Sequence, residues 1–173
     1  MGFSSLGRSA VMDGARPQSF LFPSLLYMST TPQHSVSVAG AVVREDGRAL
    51  AIRRADNGTW EPPGGVLELT ETVEDGVCRE VFEETGVKVA VDRLTGVYKN
   101  MTRGVALVFR CSVEESEPQP SDEATAVAWL TREEVVDRMS EVYAVRVLDA
   151  LKSGATRVRS HDGRVLLEPP TAG

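Results

Sequence analysis

The segment from Thr72 to Gly86, TVEDGVCREVFEETG, writes both ends of a helix and then loads it with like charge. Thr72 is suited to cap the amino end, with Asp75 three residues on completing a capping box, and Gly86 supplies a left-handed exit. Val73, Val77, Val81 and Phe82 fall on one side at helical spacing, while Glu80, Glu83 and Glu84 cluster on another. Residues three and four apart on a helix are neighbours, so these carboxylates repel by a few tenths of a kcal/mol. A solvated acidic face is one reading of such a run. The other is a cation held among the carboxylates, because hard divalent ions take oxygen ligands.

The flanking sequence sets this helix among strands. SVSVAGAVV, Ser35 to Val43, followed by Asp46-Gly47 and RALAIRR, predicts a β-hairpin. DNGTWEPPGG, Asp56 to Gly65, is rich in Gly, Pro and Asn and predicts a loop without regular structure. After the helix, VKVAVDRLTGVYKNM and GVALVFRCSV read as strands, the second with Val105, Leu107, Phe109, Cys111 and Val113 on one face. Glu114 to Glu123 is acidic and broken by prolines, hence an exposed loop, and AVAWL after it is a strand with Trp129 in the core. Thr131 and Glu134 repeat the capping box and open a short helix. A second helix, Val142 to Lys152, carries Val142, Val145, Leu148 and Leu151 and ends at Gly154. The tail predicts a hairpin around Asp162-Gly163. Strands on both sides of each helix predict an α/β sandwich around a mixed sheet. The expected division is a domain over 34–155 with a tail over 156–173.

Residues 1–33 read as a leader. Its apolar run, Ser19 to Met28, is too short to span a bilayer and is interrupted by a proline. Arg8 and Arg16 precede it as in a secretory signal, but no small-x-small cleavage site follows. Leu6 stands where myristoylation needs Ser or Thr. A mobile leader, or a true start at Met28, is the expectation. The formal charge of −6 excludes broad affinity for nucleic-acid polymers, which needs a surplus of Lys and Arg. Cys78 and Cys111, in apolar surroundings and not at metal-like spacing, read as reduced thiols of a cytoplasmic protein with no membrane partner.

Reading outward from the helix, Gly65 is followed after five residues by Glu71, and seven more lead to REVFEETGV. This spells G-x5-E-x7-R-E-U-x-E-E-x-G-U, with U a bulky aliphatic residue, from Gly65 to Val87. The chain thus resembles the Nudix hydrolases, completely through this box and more loosely from about Ser35 to Leu151 in the order of its elements. The resemblance implies a Nudix-like α/β/α sandwich whose loop, helix and loop hold Mg2+, with Mn2+ as a substitute, against a diphosphate linkage. It implies Glu80, Glu83, Glu84 and the carbonyl of Gly64 as metal ligands, with Glu71 and Arg79 bracing the loops. A divalent ion makes chemical sense of the charge, since it lowers the pKa of water, neutralises phosphate oxygens and inverts the local potential.

Outside the box, Glu123 sits six positions ahead of Trp129, where relatives often carry an extra acid. It is a candidate general base or ligand, with Asp122 as substitute and Glu80 as the other candidate base. Arg53 and Arg54 are candidate phosphate contacts, against a surface pair that balances acidic loops, and Trp60 is a candidate stacking residue, against a packed loop anchor. Gly76 stands where relatives more usually carry alanine and reads as tolerated by the helix. His34 and His161 are assigned no role.

The proline that marks ADP-ribose hydrolases is absent from Asn100 to Gly104, Tyr98 comes too early for one group of dinucleoside polyphosphate hydrolases, and the marks of NADH and coenzyme A hydrolases are missing. The expected activity is therefore a Mg2+-dependent pyrophosphohydrolase acting on a nucleoside diphosphate linked to another moiety, (deoxy)nucleoside triphosphates included. The alternative is a catalytically silent Nudix-fold sensing or scaffolding module. Dimers are frequent among such relatives, so a homodimer is a further expectation.

Overall fold

The computed structural model describes residues 33–115 and 117–169. The leader expected over 1–33 lies outside the described residues, apart from its last position. In chain order the elements are β1 (Ser35–Val42), β2 (Ala49–Arg54), β3 (Trp60–Glu61), β4 (Gly64–Val66), α1 (Val73–Thr85), β5 (Lys88–Asn100), β6 (Gly104–Glu115), β7 (Ala124–Leu130), α2 (Arg132–Arg138), α3 (Glu141–Ala150), β8 (Arg157–His161) and β9 (Leu166–Leu167). A six-stranded sheet runs β4-β1-β6-β5-β8-β9, and a three-stranded sheet runs β3-β2-β7. The larger sheet is mixed: β1 with β6 and β5 with β8 are parallel pairs, and its other pairs are antiparallel. No helix among the described residues is long and apolar enough to cross a membrane.

Alternation along β1 builds the two layers. Val38 and Val42 point into a cluster with Val77 and Val81 of α1 and with Phe109 and Cys111 of β6. Ala39 and Ala41, on the opposite face, join Tyr98, Ala106, Val108 and Ala150 at the end of α3, as a period of two requires. The sheet is thus covered by α1 on one side and α3 on the other, the sandwich expected from the sequence. Gly40 lies between Val38 and Val42 on the α1 side. A Cβ there would meet a methyl of Val81 at 2.6 Å, so the helix sits as close as a glycine permits. A third cluster, with Leu130, Val135, Met139 and Val147, ties the smaller sheet to α2 and α3.

Five expectations need correction. β1 and β2 do not form a hairpin: they share a single bridge, Val43 with Ala49, and then part into different sheets. The sequence between them encodes the turn, but β1 takes β6 and β4 as partners, and β2 takes the distant β7 and the nearby β3. Asp56–Gly65 is not wholly irregular, since Trp60–Glu61 and the Gly64–Val66 segment each hydrogen-bond to a strand. Phe82 lies off the buried stripe and is 49% exposed. The tail is no appendage, because β8 extends the main sheet beside β5, and the expected hairpin around Asp162-Gly163 forms there. At α1 the cap is half a box: Thr72 Oγ1 accepts the Asp75 N–H, and its hydroxyl donates to the Asp75 carboxylate. At α2 the box of Thr131 and Glu134 is complete.

Both thiols are free, Cys111 fully buried and pushed up to about 12 by burial. The contact at Gly40 yields a test. Gly40→Ala should lower the urea midpoint at unchanged slope, by about 1–3 kcal/mol of overpacking. An unchanged midpoint would show that α1 is not pressed onto the sheet.

Candidate active site

Glu80, Glu83 and Glu84 occupy the last turns of α1, where the helix dipole is negative and no basic residue is present to offset it. They are therefore doubly disfavoured, by one another and by the helix end. Arg79 meets part of this charge. Its Nε and Nη2 form a bidentate pair with Glu71 at 2.9 and 2.7 Å, and its Nη1 donates to Glu80 at 2.9 Å and to Glu83 at 3.0 Å. Nη2 also reaches the Val66 carbonyl at 3.3 Å. One planar cation thus joins the helix, the segment before it and β4, which the fixed fork of a guanidinium allows and a lysine does not. Arg79 holds the Glu71 carboxyl down at about 2, helped by the Glu68 N–H.

Glu84 is outside this arrangement. It is 4% exposed, and its Oε2 accepts the Gly64 N–H at 2.7 Å. Burial outweighs that bond and pushes its carboxyl up to about 7, with Glu80, Glu61 and Glu123 adding repulsion. Burial also raises Glu80, against the pull of Arg79.

The glycines shape the approach to these acids. A Cβ on Gly65 would lie 2.5 Å from both carboxylate oxygens of Glu80, so glycine lets the β4 backbone come up to the acid. A Cβ on Gly64 would collide with the Val38 carbonyl of β1. Gly76 is more than tolerated by the helix: a Cβ there would meet Leu67 at 2.8 Å and the Glu71 carboxylate, pinned by Arg79, at 2.9 Å.

Glu80, Glu83, Glu84, Asp122 and Glu123 line one open cavity of about 550 Å³, together with Arg54, Arg79 and Gly64 to Val66. The loop before β7 is tied in place by the Ala55 N–H donated to the Glu123 carbonyl at 2.9 Å, which brings Glu123 opposite the box. The other sequence candidates divide. Arg54 lines the cavity while paired to Asp56 at 2.9 Å and to Glu61 at 3.1 Å. Arg53 points elsewhere, its Nε on the Gly58 carbonyl at 3.2 Å. Trp60 packs against the cluster beneath α2 and α3, with Arg138 5.9 Å from its ring centre, which is the loop anchor rather than the stacking platform. Sequence reasoning passed over Glu61, 5% exposed beneath Arg54, and His161, 2% exposed. Neither belongs to a spaced motif.

The donor set suits a hard divalent cation. One buried carboxyl, Glu84, and one half-buried, Glu80, both raised by desolvation, with an exposed third and a fourth across the cavity, are oxygen donors that would gain from a nearby positive ion. Among the described residues no three His, Cys, Asp or Glu side chains are gathered closely enough to hold a metal ion as they stand, and the guanidinium of Arg79 shares two of the acids. An open acidic face of this kind fits Mg2+, which keeps waters and takes few protein ligands.

An α/β/α sandwich with a braced, acid-lined helix defines a class of hydrolase scaffold. Residues 33–151 match the NUDIX domain, and the chain belongs to the Nudix hydrolase family. It is 66% identical over 150 residues to a MutT-like protein of Streptomyces ambofaciens, covering 83% of this chain and 97% of that one. It is 34% identical over 99 residues to an ADP-ribose pyrophosphatase of Methanocaldococcus jannaschii, covering 53% of this chain and 59% of the relative. Its fold matches a NUDIX hydrolase from Nitrosomonas europaea with a TM-score of 0.66 at 22% identity, over 76% of this chain and 82% of that structure.

The raised carboxyl of Glu84 gives a signed prediction. An acid whose folded pKa lies near 7 and whose unfolded value is near 4.5 costs stability as pH rises through that window. Below pH 4.5 the cost is absent, and above 7 it is complete. In EDTA, Glu84→Gln should therefore be more stable than the parent at pH 8 by on the order of 1–3 kcal/mol, with the difference vanishing near pH 4. Equal denaturation midpoints at pH 8 would refute the burial argument.

Proposed function

We propose that this protein is a Mg2+-dependent pyrophosphohydrolase of the cytoplasm that cleaves a nucleoside diphosphate linked to another moiety, with (deoxy)nucleoside triphosphates within its range. The observation that carries the reading is the pairing of desolvated acids on α1 with the close glycine backbone of β4. A substrate anhydride laid along Gly64 and Gly65 lies within reach of Glu80, Glu83 and Glu84 on one side and of Glu123 on the other. The names of the relatives, MutT-like protein and ADP-ribose pyrophosphatase, support the same bond class.

In this reading Glu80, Glu83 and Glu84, with the Gly64 carbonyl, would hold the divalent ion, with Mn2+ as a substitute for Mg2+. When bound, the ion neutralises phosphate oxygens and acidifies water. Arg79 and Glu71 keep α1 and β4 in register, so their part is positioning. Arg54 meets phosphate oxygens at the mouth. Glu123 or Glu80 takes the proton from the attacking water. Both face the cavity, and a carboxyl raised toward neutrality, as Glu80 is, is the better proton acceptor.

Glu83→Gln tests the assignment of the ligands, since that side chain is 57% exposed and serves no core. Turnover with Mg2+ should fall at least a hundredfold at an unchanged melting temperature. A rate within threefold of the parent would overturn the assignment of Glu83, and only a parent without turnover would leave the silent-module reading. Glu123→Gln separates the two candidate bases: a loss in kcat of about 10²–10⁴ at unchanged Mg2+ affinity assigns the proton to Glu123, and a near-normal kcat assigns it to Glu80.

A further inference from the structure

A second cavity, of about 650 Å³, adjoins the acidic one across Arg54, Gly64, Gly65 and Val66, and its charge is of the opposite sign. Arg54, Arg103, Arg146 and Arg164 line it against the acids Glu61 and Asp162. Arg146 on α3 is the singular member. Its guanidinium stands 5.6 Å from the ring centre of Tyr98 and 4.9 Å from that of Tyr143, so its faces are occupied by aromatic rings. Among the described residues it forms neither a hydrogen bond nor an ion pair, and its Nε is buried without an acceptor. Burial lowers its pKa, against opposing pulls from Tyr143, Glu61 and Tyr98.

The platform beneath it is fixed. Tyr98 is fully buried, and its hydroxyl donates to Asp149 at 3.0 Å, which in turn is held by both donors of Arg159 at 2.6 and 2.9 Å. A second buried donor lies in the same wall. His161 Nδ1 accepts the Gly163 N–H at 3.1 Å, so the ring proton sits on Nε2, which has no partner among the described residues. A largely buried cation whose Nε has no acceptor is costly to keep, and a well-packed apolar residue of the same volume would serve the core better. Planar N–H groups with their faces against aromatic rings leave their edges for two oxygens of one oxyanion, and a phosphoryl group offers such a pair.

We propose that Arg146 is a specificity-determining residue that binds a phosphoryl group of the substrate remote from the anhydride that is cut. The acidic cavity takes the anhydride with its cation, and the basic cavity takes the far end. The preferred substrates are then nucleotides that carry an additional phosphate, rather than those ending in a neutral sugar. Naming the ligand as the far end of the substrate rests on the hydrolase reading, whereas the binding itself does not.

The test is therefore made first without turnover. Calorimetric titration of the full chain in EDTA with inorganic pyrophosphate should show binding that weakens at least tenfold in Arg146→Met and is unchanged in Arg132→Met, an exposed arginine outside both cavities. Arg146→Met should melt at or above the parent temperature, because it removes an unpaired, half-buried charge. Arg146→Lys keeps a cation near the rings but loses the planar fork, and it should lose affinity too, which decides the matter if the methionine variant folds poorly. With Mg2+, kcat/KM for NADP+ over NAD+ and for other pairs differing by one remote phosphate should favour the phosphorylated member in the parent and level in Arg146→Met. No pyrophosphate binding by the parent, or full affinity in the lysine or methionine variant, would overturn the proposal. Absence of all hydrolysis with Arg146-dependent binding intact would instead overturn the proposed function alone.

Discussion

The position of one guanidinium governs the geometry of the acidic site. Arg79 reaches Glu71 before α1, Glu80 and Glu83 on it, and the Val66 carbonyl of β4, so a single side chain fixes three segments relative to one another. Without it, carboxylates at the negative end of a helix would repel one another and splay. With it, Glu80 and Glu83 share one cation with Glu71 and are only partly neutralised. Glu84, which Arg79 does not reach, is kept by burial and by the Gly64 N–H in a state that a cation would relieve. The acids are thus braced and yet incompletely paired.

The sandwich supplies the remaining constraint. α1 lies flush against β1 because Gly40 carries no side chain, and β4 comes up to Glu80 because Gly65 carries none. These close approaches set the distance between the acids and the phosphate-facing backbone. On the other face, α3 brings Arg146 to the wall of a cavity that meets the acidic one at Gly64 and Gly65. Adjacent cavities of opposite charge suit a substrate whose cation-bound anhydride is flanked by a further anion.

Local sequence carried a great deal of this. Thr72, Gly86, Thr131 and Glu134 mark helix ends by interactions within four residues, and each does so in the structure. The alternation of β6 and the turn at Asp162-Gly163 are equally short-range. The box could be read because its acids, its arginine and its glycines lie within one segment of chain. What failed was long-range. Asp46-Gly47 encodes a turn, but nothing nearby states that β1 pairs with β6 while β2 pairs with β7. Trp60 looked available for stacking because its cover, Met139 and Arg138, lies far along the chain. Arg146 and His161 gave no signal, since a lone arginine on a helix or histidine at a turn acquires meaning only from the tyrosines and backbone that tertiary packing brings to it.

The central claim is that the acids of α1, beside the glycines of β4, capture a divalent cation. Electron paramagnetic resonance of Mn2+ titrated into the parent and into the Glu80→Gln, Glu84→Gln double variant measures this without reference to any substrate. The account predicts saturable Mn2+ binding by the parent, competed by Mg2+, and its loss in the double variant at unchanged helical content. Equal Mn2+ binding by both proteins would place the cation elsewhere and contradict the account.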